Sequence, residues 1–146
     1  MKKSTPRKHK PIHASVPMLV NRLLNETVES VEEHTMITAF QFGVATSHHY
    51  DYLQRMANML NIANQTKPSD EAEHVRVHLN WLAEAIFERY ERLGKFGTSG
   101  LQLSLMRRLV QAYDDYWKRQ TTNLYNDCAY ELNAFYADLE SQKVAA

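Results

Sequence analysis

Cysteine, glycine and proline are all scarce in this chain, and each scarcity removes a class of answer. A single cysteine, Cys128, excludes an intrachain disulfide and with it the small secreted folds that such bridges hold together. A reducing, cytoplasmic setting is therefore expected. No apolar run approaches the roughly 20 residues that cross a bilayer as a helix. A secretory leader is not expected either, since Pro17, Asn21 and Arg22 interrupt "PIHASVPMLVNRLL" after the basic start. Four glycines (Gly43, Gly94, Gly97, Gly100) and four prolines (Pro6, Pro11, Pro17, Pro68) leave long stretches without a breaker. Nothing in those stretches alternates as a half-buried strand would, so the chain reads as all-α.

What is present suits one folded domain: 146 residues, with 44% hydrophobic side chains to fill a core. Formal net charge is zero, but it is unevenly placed. The opening "MKKSTPRKHKP" holds five Lys/Arg and no acid, leaving 12 basic against 17 acidic side chains elsewhere, a net of −5. Residues 1–14 are expected to form a flexible, disordered basic arm, and residues 15–146 a single helical domain.

The helices can be placed from caps and periodicity. Ser15 suits an N-cap, with Pro17 in the first turn, where a missing N–H costs nothing. Val20, Leu23, Leu24, Val28 and Val31 recur at helical spacing, and the pattern continues through Ile37 to Phe40 before Gly43. Ser47 is expected to cap a second helix striped by Leu53, Met56, Met59, Leu60 and Ala63. After the "NQTKPSD" loop, Ser69 or Asp70 caps a third helix to about Leu93, with acids in its first turn where the helix dipole favours them. Beyond the connector "LGKFGTSG" there is neither Gly nor Pro. One unbroken C-terminal helix would run about 60 Å, so either it breaks near residues 120–123 or its far end packs on another subunit. The expected architecture is an antiparallel bundle of four main helices, the last one long.

The stretch "AFQFGVATSHHYDYL" has the outline of a helix-turn-helix: small Ala39, Gly43 for the turn, Val44, and Ser47 to start a second helix. His48 and Gln54 could then read base edges and Arg55 could meet phosphate. Against this, His49 occupies a place that usually faces the core, and Asp51 would point toward phosphates. The competing reading is a plain corner between packed helices, flanked by Tyr50 and Tyr52. Together, "PRKHKPI" and "AFQFGVATS" resemble small helical proteins encoded on proteobacterial phage-like and plasmid-like elements, some of which carry transcription-regulator labels. The resemblance covers the first half of the chain and implies a mobile-element accessory factor, not a defined activity.

Enzyme chemistry has little to stand on. Glu71, His74 and His78 share a helix flank as metal ligands can, but a di-iron bundle needs a second Glu-x-x-His, and none exists. No metal, cofactor or catalytic residue is expected. Cys128 sits on an apolar stripe and reads as core. The "GKFGTSG" connector lacks P-loop spacing.

The function expected is therefore non-enzymatic: a helical binding or adaptor protein with a protein or nucleic-acid-associated partner. A DNA-binding regulator using residues 39–58 is the alternative, and a metal-dependent helical enzyme is more remote. A homodimer is expected, with Tyr113, Tyr116, Trp117, Leu124 and Phe135 as interface residues. Lys2, Lys3, Arg7, Lys8 and Lys10 should give the arm weak, sequence-independent affinity for nucleic acid. Binding to random duplex should fall with salt at a log–log slope of up to about −4 to −5. A chain beginning at Ile12 should lose that binding; equal binding by both chains would remove the arm from the account.

Overall fold

The computed structural model describes residues 31–145. The basic arm, with Lys2, Lys3, Arg7, Lys8 and Lys10, and the expected helix start at Ser15 and Pro17 lie outside the described residues. The remainder is all-helical, as its periodicity requires. Helix α1 occupies residues 31–41, α2 Ser47–Thr66, α3 Asp70–Leu93, α4 Gly100–Lys118 and α5 Thr122–Ala145. No helix among the described residues is long and apolar enough to cross a membrane.

Local chemistry sets each start and stop. Thr46, one residue before the expected Ser47, is the extended N-cap of α2. The α3 cap is Ser69, whose hydroxyl accepts from the Ala72 amide at 3.3 Å, with Asp70, Glu71 and Glu73 in the first turn. Gly94 ends that helix at φ 75° and donates its amide to the Tyr90 carbonyl at 2.7 Å, a conformation that suits glycine. Ser99 and Gln102 form a reciprocal capping box on α4: the Gln102 side chain accepts from the Ser99 amide at 2.9 Å and Ser99 Oγ from the Gln102 amide at 3.2 Å.

The C-terminal segment divides into two helices rather than running on as one. The break begins at Arg119, and the Thr121 hydroxyl accepts from the Leu124 amide at 3.1 Å, as an N-cap does. Threonines and asparagine offer the backbone such alternatives to the helical ladder. The described residues thus form five helices where four main ones were expected.

Helix α2 packs against both α3 and α5, and α3 in turn packs against α4. Its Leu53, Met56 and Leu60 meet Leu79, Leu82 and Ile86 of α3, Met106 and Trp117 of α4, and Cys128 and Leu132 of α5 in one core. Met36 and Phe40 of α1 join that core. Four of the chain's six methionines (Met36, Met56, Met59, Met106) are buried here.

The interface assignment is corrected for three residues. Tyr113, Tyr116 and Trp117 lie inside this chain's own core. Because the helix breaks, α5 folds back and its Tyr125 closes edge-on over Trp117 at 5.0 Å, while Tyr116 meets the same indole at 5.0 Å. Leu124 is half-buried against the core; Phe135 alone of the five is exposed.

Candidate functional site

The corner between α1 and α2 is built by two caps in series. Val44 donates its amide to the Ala39 carbonyl at 2.9 Å and Gly43 donates to Phe40 at 3.3 Å. These are the two bonds of a Schellman C-cap, with Gly43 at φ 70° in the left-handed position. The next cap follows at once: His49 Nδ1 accepts the Thr46 amide at 3.0 Å. Partial burial, with the neighbouring His48, lowers the His49 pKa. That favours the neutral ring, the form that can accept this bond. His49 replaces the Glu or Gln of the usual capping box, which is why its role is hard to see from sequence.

His48, Gln54 and Arg55 do come together. They line a cleft of about 520 Å³ with Glu32 of α1, Asp51 and Tyr52 of α2, and Tyr136 of α5. Gln54 donates to the Tyr50 hydroxyl at 3.2 Å, and Arg55 donates across to Asn133 Oδ1 of α5 at 3.0 Å. The face that a recognition helix would need is not basic. The first turns of α2 expose His48, Asp51 and Gln54, while their one cation, Arg55, is half-buried and tied to α5. Two carboxylates in the same cleft would repel a phosphate backbone.

The histidine-bearing flank of α3 is occupied by internal contacts. Glu71 pairs with Arg119, and His78 Nδ1 donates to the His74 carbonyl at 2.7 Å. Glu73 forms a two-bonded pair with Arg76 at 2.5 and 2.9 Å, and the hydrogen bond from Arg76 holds its carboxyl below the usual range. No group of three or more potential metal ligands gathers among the described residues. Burial, with Glu131 and Asp127 nearby, pushes the Cys128 thiol up to about 12, far from the range of a reactive thiolate.

The feature that sequence reasoning missed is the end of the bundle around this corner. Tyr50 stacks on Phe87 at 6.0 Å and on Phe96 at 5.4 Å, and Tyr90 stacks on Phe96 at 4.3 Å. These contacts bring the start of α2, the end of α3 and the α3–α4 connector together. Arg107 of α4 donates to Gln41 of α1 at 2.9 Å and closes the ring. Phe42, Val44, Phe87, Tyr90, Leu93 and Leu101 all sit at this end. They are half of the twelve large apolar side chains exposed among the described residues. Phe42, Val44 and Leu101 are 68%, 66% and 85% exposed. Periodicity could not reveal this patch, because four of its members lie in connectors or at helix ends.

No family model, curated protein or solved structure matches this chain.

The corner should prove structural before anything else. A Cβ at Gly43 meets no atom within 4 Å, so the main cost of Gly43→Val is the left-handed backbone, about 1–2 kcal/mol. Replacing both His48 and Gln54 by alanine should leave urea stability within about 0.5 kcal/mol of the parent. The reverse ranking would contradict the double-cap geometry.

Proposed function

We propose that this chain is a non-enzymatic helical binding protein, an adaptor that engages a protein partner through the apolar corner end of the bundle. The observation carrying this reading is the exposure of Phe42, Val44, Leu93 and Leu101 in the connectors and helix ends next to the segments that form the Tyr50–Phe87–Tyr90–Phe96 aromatic cluster. Contiguous exposed apolar surface marks an interaction site, whereas isolated exposed side chains do not. The resemblance of the first half to mobile-element proteins makes an accessory role in such an element part of this proposal. The regulator reading has weaker support, since α2 is covered from two sides and its free face carries Asp51.

Self-association belongs to the same reading, with a different surface. Cys128, Leu132, Phe135 and Leu139 follow one stripe of α5, but only the first two are covered. Phe135 is 55% exposed and Leu139 39%. A second copy of α5 would cover the uncovered half.

Phe42→Ser combined with Leu101→Ser should abolish co-purification of the partner from extract of the native host and leave the melting temperature unchanged. Capture of the same proteins by parent and variant would remove the corner end as the binding surface. Light scattering should give a dimer at tens of micromolar, reduced to monomer by Phe135→Ser with Leu139→Ser. A parent that is monomeric at that concentration would end the dimer proposal.

A further inference from the structure

The outward face of α3 combines an exposed tryptophan with carboxylates. At about 100° per residue, Val77 and Trp81 stand opposite the buried stripe Val75, Leu79, Leu82 and Ile86. Trp81 is 54% exposed in the middle of the helix. Asp70, Glu84, Glu88 and Glu91 lie on the same side and are all exposed. Of the cations of α3, only Arg92 lies on this strip, about 20° round from Trp81 and one turn beyond Glu88. Arg76 is held by Glu73, and Arg89 lies along Gly97. An exposed indole set among carboxylates is a surface for lysine and arginine: the ring face takes a cation and the acids supply the counter-charge.

We propose that this face docks the chain's own basic arm, Lys2 to Lys10. Charge complementarity selects that occupant: five cations without an acid in the arm, four exposed acids against the single cation Arg92 along the strip. The same face of a second copy is a poor alternative, because it would set like charges against each other. Length permits the contact. With the expected helix from Ser15, the stretch between Lys10 and Val31 can span about 40 Å, against about 36 Å for the whole of α3. A tethered segment acts at an effective concentration in the millimolar range, so weak contacts suffice. This proposal concerns a face apart from the corner end and does not depend on the binding function assigned there. Its consequence is competition: a polyanion that takes the arm uncovers Trp81.

The two tryptophans make the test direct, since Trp117 is fully buried and acrylamide quenching reports Trp81. Full-length parent is compared with the full-length variant in which Lys2, Lys3, Arg7, Lys8 and Lys10 are all glutamine. At about 0.01 M salt, where the Debye length is roughly 30 Å, the parent should be quenched less than the variant; at about 1 M, roughly 3 Å, the two should coincide. Glu84→Gln, Glu88→Gln and Glu91→Gln together should raise quenching to the level of the arm variant. The difference should not change with protein concentration. Equal quenching of parent and arm variant at low salt overturns the proposal. So does protection that survives in the triple glutamine variant, or that appears only at high protein concentration and so assigns the face to another copy.

Discussion

The packing of α2 between α3 and α5 sets most other features of this bundle. A helix covered on two sides must be apolar around much of its circumference, and Leu53, Met56, Ala57, Met59, Leu60 and Ala63 meet that demand. Covering the second side requires a helix to come back along the bundle, which α5 can do only because the chain breaks after Lys118. The break in turn seals Trp117 between Tyr116 and Tyr125. One packing requirement thus fixes the fate of the aromatic run at 113–117. It also leaves α2 a narrow strip, His48, Asp51, Gln54 and Asn61, and its last residues to offer to solvent.

How much was legible in the sequence follows from which interactions are local. Helix class, the Ser69 cap, the third helix to Leu93 and the turn at Gly43 depend on neighbours within five residues, and all can be read from the chain. The break after α4 could be located only as one of two alternatives. Whether three polar residues interrupt a helix depends on what covers the result. The burial of Tyr113, Tyr116 and Trp117 was misread for the same reason, since aromatic stripes look alike whether covered by the same chain or by another. His48, Gln54 and Arg55 were correctly seen as neighbours on one helix. Glu32 and Asn133, which change what that cleft can bind, come from helices far away in sequence.

The bundle separates apolar from charged surface. Its corner end gathers Phe42, Val44 and Leu101, all outside the helical stripes, while the outer side of α3 surrounds Trp81 with carboxylates. Two such faces on one small scaffold differ in the forces they employ. Association proposed at the first would be driven by burial of apolar area and little affected by salt. Attraction at the second falls as ions are added. Ionic strength therefore distinguishes events at one face from events at the other within a single molecule.

The methionines give the core a further property. Met36, Met56, Met59 and Met106 come from three different helices and supply long, unbranched side chains to one interior. Such side chains re-pack readily, so small shifts of α2 against its neighbours meet soft resistance. Each thioether is also a redox target that burial shields from peroxide. Oxidant reaches it when the helices part, and the added sulfoxide oxygen then opposes their closing. Sulfoxide at these four positions would therefore mark chains whose helices had parted.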